Sequence, residues 1–231
     1  MRDSDSYYRD QYSDTQRSGV QGWGNSLIDR LIERECDRSP GDRILEIGAA
    51  SGEHLHWADR TIPWGEYVAL DLRPGETNPS LARALEISSA VRFQRGSAEE
   101  IPFPDGSFDV CLSTCVLAHV SDPEAVFREL RRVTKVGGNI TVGMPCDPGV
   151  VNRIVKALVT YPTMKRAGIA DPRLQYAREH INGIGNLIAL AEHVFAQDAT
   201  RLRYFPLPVR SWNLNLAVVL HVTIRPEQAA P

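Results

Sequence analysis

The residues best placed for chemistry lie in the run Ile44-Leu45-Glu46-Ile47-Gly48-Ala49-Ala50-Ser51-Gly52. An apolar stretch gives way to an acid, then to small residues with glycines four apart. Small side chains at the end of a buried strand let a ligand approach the backbone closely. A helix beginning there offers unpaired N–H groups and a partial positive charge. Asp71 closes the next apolar run, Tyr67-Val68-Ala69-Leu70. An acid at the end of a second strand accepts hydrogen bonds from both hydroxyls of a ribose. This chemistry is nucleoside recognition. A dinucleotide fingerprint needs G-x-G-x-x-G, and Ala50 and Glu53 stand at its second and third glycines, so no pyrophosphate is required.

Histidine is the next candidate, because it titrates near neutral pH. Of the six, His119 follows a fourth apolar run, and His180 sits in Glu179-His180-Ile181-Asn182. Each serves either a substrate or its own local turn. His54, just beyond the glycine turn, either approaches the ligand or braces the N-terminal arm. The four cysteines, Cys36, Cys111, Cys115 and Cys146, show neither C-x-x-C nor zinc spacing. No His/Asp cluster has ligand spacing either, so no metal is expected. A nucleophilic Cys115 or Cys146 is disfavoured, since no basic or aromatic nucleic-acid surface accompanies it.

Strands and helices must hold these groups. Residues 1–24 form a polar arm rich in Tyr, Asp, Ser and Gly, expected to fold over something. Asn25 is expected to cap a helix carrying Leu27, Ile28, Leu31 and Ile32. Strands are expected at 44–47, 67–71, 91–94, 108–113 and 139–144. A helix follows the first strand and ends near Pro63, and a short one covers Ser80–Glu86. Asp122-Pro123-Glu124 starts a helix ended by Gly137-Gly138. Alternation of this kind builds a parallel sheet with right-handed crossovers. Residues 149–196 read as helical, with one apolar stripe at Val150, Val151, Ile154, Val155 and Leu158 and another at Leu187, Ile188, Ala191, Val194 and Phe195. Two strands joined through Pro206, Pro208 and Ser211 then form an antiparallel hairpin, and 228–231 form a loose tail.

The 231 residues carry a formal charge of −3, 42% hydrophobic and 24% charged side chains. That is ordinary globular composition, and it excludes a dedicated nucleic-acid binder, which needs a basic face. No run of about 18 apolar residues crosses a membrane, and the polar start has no apolar signal core. A soluble, cytoplasmic protein is expected.

Glu46-x-Gly48-x-Ala50-x-Gly52 followed by Asp71 resembles the class I methyltransferases that use S-adenosylmethionine. Three further blocks are similar to the small-molecule branch of that family: Gly96 to Asp109, Val116-Leu117-Ala118-His119-Val120, and Arg128-Glu129-Leu130-Arg131-Arg132 running to Gly138. The resemblance covers roughly residues 40–145. It implies an α/β Rossmann-like sheet of seven mainly parallel strands, with an antiparallel terminal hairpin and helices on both faces. It also implies S-adenosylmethionine as cofactor. Glu46 and Gly48 would face its amino-acid end, with Ala49 and Gly52 also among the cofactor-binding residues. Asp71 would hold the ribose with Leu72 beside the adenine, Ser97 and Ala98 would meet the adenine edge, and Thr114 would lie near the methionine part. Ala50 replaces a usual glycine, and Ser97 stands where the family often has aspartate.

One domain is expected over 1–231: N-terminal arm and helix (1–40), cofactor-binding core (41–146), helical substrate-covering lobe (147–197) and terminal hairpin (198–226). The expected function is methyl transfer to a small-molecule acceptor, most readily to oxygen of a sugar, glycoconjugate precursor or specialised metabolite, with His119 and His180 as catalytic candidates. Arg201, Arg203 and Arg210 flank the hairpin as a solvated face, an anionic-acceptor contact or a homodimer edge. The rival readings are an NAD(P)-dependent oxidoreductase, against which the missing third glycine and the hairpin count, and a non-catalytic cofactor-binding scaffold.

Overall fold

The computed structural model describes residues 19–50, 52, 54–58, 63–72, 90–166 and 168–226. Seven strands form one sheet: β1 (Arg43–Ile47), β2 (Glu66–Asp71), β3 (Val91–Arg95), β4 (Phe108–Thr114), β5 (Thr134–Pro145), β6 (Ala199–Phe205) and β7 (Ala217–Thr223). Their order is β3-β2-β1-β4-β5-β7-β6. The first five pair in parallel, and β7 is antiparallel to both β5 and β6. Strand order reverses between β1 and β4, the switch point where an open sheet of this kind leaves a crevice at its carboxyl edge.

The central strands are near-continuous apolar runs because both faces are covered. On one face, Leu45, Ile47, Val68, Leu70 and Val142 pack against Phe127, Leu130 and Val133 of α2 (Pro123–Val133) and Leu187 and Ala191 of α6 (Ile184–Val194). On the other, Ile44, Tyr67, Ala69 and Leu112 pack against Ile28 and Ile32 of α1 (Gly19–Glu35). Between β5 and α6 the chain runs through α3 (Val150–Val155), a π turn (Lys156–Thr160), α4 (Tyr161–Arg166) and α5 (Pro172–Glu179).

Three boundaries differ from the sequence expectation. The N-terminal helix begins at Gly19, so Asn25 lies inside it rather than at its cap. α2 ends at Val133, not at the glycine pair. Thr134 turns extended and its hydroxyl donates to Leu130 O at 2.6 Å, closing the helix, while Gly137 and Gly138 fall within β5. Beyond Gly52 the described residues form a single 3₁₀ turn, His54–His56, instead of a longer helix. The N-terminal arm up to residue 18, the expected helix Ser80–Glu86 and the C-terminal tail lie outside the described residues. Among the described residues no helix is long and apolar enough to cross a membrane.

Candidate active site

The glycine turn leaves β1 at the switch point. Gly48, Ala50 and Gly52 have φ of +65°, +45° and +76°. A Cβ on Gly48 would lie 2.2 Å from Val116 Cγ2, so the loops after β1 and β4 meet there. Ala50 N–H donates to Asp71 Oδ2 at 2.9 Å, and Ala49 N–H to Leu70 O at 3.2 Å. The end of β2 therefore fixes the turn, and Asp71 is held at the crevice. Ala50 fits because this bond holds its backbone in the left-handed region.

Glu46 lies below the turn, buried, and accepts from the Tyr67 hydroxyl at 2.7 Å. His54 is 2% exposed, 3.6 Å from Asp29 and 3.4 Å from Glu33, both on α1. Burial alone would push its pKa down, but Asp29 and Glu33, with Glu46 behind them, hold it up at about 10. A buried cation therefore ties the N-terminal helix to the floor of the turn.

The adenine-side positions are less constrained. Leu72 is 64% exposed. Ser97 Oγ accepts from Glu99 N–H at 3.1 Å, and Ala98 packs partly buried against the core. This loop is locked from α2, where Glu129 accepts from Ile101 N–H at 2.7 Å and Arg132 donates to the Ile101 and Phe103 carbonyls. Thr114 ends β4, and its Oγ1 and Ser113 Oγ are buried with no hydrogen-bond partner among the described residues. Orphaned hydroxyls, an acid at the end of β2 and an exposed apolar Leu72 fit a nucleoside ligand. The buried Glu46 does not suit a diphosphate.

The two histidines singled out in the sequence come together. The His119 and His180 rings meet edge-on with centroids 4.6 Å apart, and Tyr176 stacks on His180 at 3.9 Å. His119 Nδ1 lies 2.8 Å from Glu179 O, so it carries the proton and leaves the lone pair on Nε2. Burial pushes His119 down, and it pushes His180 down to about 3, with the His119 and Lys156 charges adding to it. Both rings are therefore neutral near pH 7. His180 Nδ1 is buried with no hydrogen-bond partner among the described residues. Asp147 stands 3.8 Å from it and pairs with Lys156, which also sits over the Tyr176 ring at 4.3 Å.

Sequence reasoning did not find Asp147, Lys156, Tyr176 and Asn182. Asn182 Nδ2 donates to Leu117 O at 2.9 Å and Val120 O at 2.7 Å, clasping the segment that carries His119. Its signal was the polar run Glu179-His180-Ile181-Asn182 at a helix end. Arg201 and Arg203 both pair with Glu35 of α1, at 3.3 and 2.9 Å, so their charges are taken within the chain. Burial pushes the Cys115 and Cys146 thiols up to about 12, which removes them as nucleophiles near neutral pH. Among the described residues no group of three or more His, Cys, Asp or Glu is arranged to hold a metal ion.

Residues 45–142 match the family described as a methyltransferase domain. The chain is 33% identical over 113 residues to a ubiquinone/menaquinone biosynthesis C-methyltransferase of Ectopseudomonas mendocina, covering 48% of this chain and 44% of that protein. It is 36% identical over 103 residues to a malonyl-[acyl-carrier protein] O-methyltransferase of Serratia marcescens, covering 44% and 37%. The solved structure of a SAM-dependent methyltransferase from Thermotoga maritima superposes with a TM-score of 0.61 at 18% identity, covering 94% of this chain and 97% of that one. The match thus spans less than half the length of these two curated relatives.

Proposed function

We propose, for a chain whose residues 45–142 match the family described as a methyltransferase domain, that this protein is a class I S-adenosylmethionine-dependent methyltransferase, that it methylates a small-molecule acceptor, and that the acceptor atom is a hydroxyl oxygen. When bound, the cofactor supplies an electrophilic methyl group on a good leaving group. The protein then has to align the acceptor, exclude water and take up a proton. Asp71 and the turn Gly48–Gly52 hold the ribose and amino-acid portions, Leu72, Ser97 and Ala98 border the adenine, and Thr114 lies beside the methionine portion.

The pair of neutral imidazoles carries the oxygen reading. A carbon acceptor that is already nucleophilic needs no base, whereas a hydroxyl does. His119, with Nδ1–H fixed on a carbonyl, keeps Nε2 as a proton acceptor. His180 meets that ring edge-on, and Tyr176 stacks on His180 in turn. The helical residues 147–197 cover the acceptor, and sugars, glycoconjugate precursors and specialised metabolites carry suitable hydroxyls.

Calorimetry with S-adenosylmethionine and with NAD tests the cofactor. Saturable heat with NAD alone overturns the assignment. Asp71→Ala should weaken S-adenosylmethionine by about 2 kcal/mol, roughly thirtyfold. His119→Asn should lower release of S-adenosylhomocysteine by about a hundredfold or more with cofactor affinity unchanged. Undiminished turnover removes the base and with it the oxygen reading.

A further inference from the structure

The apolar stripe expected along α3 is not buried. Val150, Ile154 and Leu158 recur every fourth residue through α3 and the π turn, and they are 51%, 53% and 73% exposed. The connection between β6 and β7 lies against the start of this helix. Val151 N–H donates to Asn213 O at 3.1 Å, and a Cβ on Gly149 would meet Trp212 O at 2.3 Å. That connection carries four more exposed apolar side chains, Leu207, Val209, Trp212 and Leu214. Exposed apolar residues gathered in this way mark an interaction surface rather than scattered surface chance.

The charge around the patch identifies the partner. Residues 150–183 hold six basic side chains against only Asp171 and Glu179, in a chain whose net charge is −3. Arg153, Lys165, Arg166 and Arg178 are exposed. None of them joins an ion pair among the described residues, whereas Arg43, Arg92, Arg128, Arg131, Arg132, Arg201 and Arg203 all do. Exposed aliphatic side chains and a Trp, with unpaired Arg and Lys along the same helical segment, are the composition of an interfacial helix on anionic lipid. The inward side of the same helical stretch carries Lys156 and Tyr161, which reach Tyr176 beside His180.

We propose that this face seats on an anionic lipid surface and that the acceptor is an amphiphilic molecule drawn from that surface, its hydroxyl passing inward to His119. The substrate class rests on the methyltransferase reading, but the lipid contact does not.

Flotation of the purified protein with vesicles tests the contact. Vesicles with equal parts phosphatidylglycerol and phosphatidylcholine should carry the protein up, and pure phosphatidylcholine should carry at least about tenfold less. Salt at about 0.5 M should release it. Ile154→Ser with Leu158→Ser should lower partition at least about tenfold, and Lys165→Glu with Arg166→Glu should do so for the anionic vesicles. Both double variants should still bind S-adenosylmethionine, which shows that they fold. No flotation of the wild type, or equal flotation of the variants, overturns the proposal. So does a doubled mass in light scattering that Ile154→Ser with Leu158→Ser abolishes, for the face would then join two copies. If the vesicles bind and S-adenosylmethionine does not, the methyltransferase reading falls and the lipid surface stands.

Discussion

Replacing His54 with Gln tests the buried cation beneath the glycine turn. In the folded chain the imidazole is held at about 10, against an ordinary 6.5. A pKa raised by folding stabilises the fold fully below 6.5. The contribution falls by about 1.4 kcal/mol per pH unit above that and vanishes once pH passes about 10. The full gap corresponds to about 5 kcal/mol. The contacts at 3.6 and 3.4 Å are longer than good hydrogen bonds, so about 3 kcal/mol is the better figure below pH 6.5. For a chain of this length that is about 6–12 °C in melting temperature. Melting of wild type and His54→Gln should be followed from pH 6 to 10.5, because groups that titrate equally in both cancel in the difference. The two curves should lie far apart at pH 6 and converge towards pH 10. A difference that stays constant across this range, or is under 1 °C at pH 6, would refute the ion-pair account. The variant should also bind S-adenosylmethionine more weakly, since Glu46 and the turn share the cluster.

Asn182→Ala removes two hydrogen bonds from the segment carrying His119, at a cost of about 2 kcal/mol of stability. Single-turnover kinetics should show slower methyl transfer, and calorimetry should show unchanged cofactor affinity. Because His119 and His180 are both pushed down, the acid limb of the kcat/KM profile should lie below the 6.5 of an ordinary imidazole. An acid limb at 6.5 contradicts the neutral pair. Gly48→Ala meets both a positive φ and the Val116 side chain, and should cost about 3 kcal/mol in urea unfolding. Adding Val116→Ala should restore about half, since it relieves the clash but not the dihedral.

The parts of the fold legible in sequence are those where local pattern and tertiary environment agree. The central strands are buried on both faces, so they appear as unbroken apolar runs. Asp122 does cap α2, accepting from Ala125 N–H at 3.0 Å. Gly137-Gly138 misled because glycine serves two ends. Here Gly138 lies where a Cβ would stand 2.7 Å from Asp109 O, beside the register shift between β4 and β5, so the pair is required by the strand and not by the helix. The early start of α1 was hidden by Gly19, Gly22 and Gly24, whose low helix propensity is overridden by packing of the later turns against β4 and β5.

The site divides along the same line. Asp71 and the glycine turn are defined by their position at strand ends, which spacing encodes. The histidine pair is defined by contact, and spacing does not encode it: His119 and His180 are sixty-one residues apart in the chain. They meet because Ile181 N–H bonds to Ala118 O and Asn182 clasps Leu117 and Val120. The stripe along α3 misled for a third reason. Helical periodicity reports that a face is apolar, not what covers it. The core is already filled by α2 and α6, so the stripe on α3 is left outward while Lys156 and Tyr161 turn in. If the lipid-surface proposal holds, an acceptor bound for His119 meets this helical stretch first, and the outward row takes part in selecting acceptors.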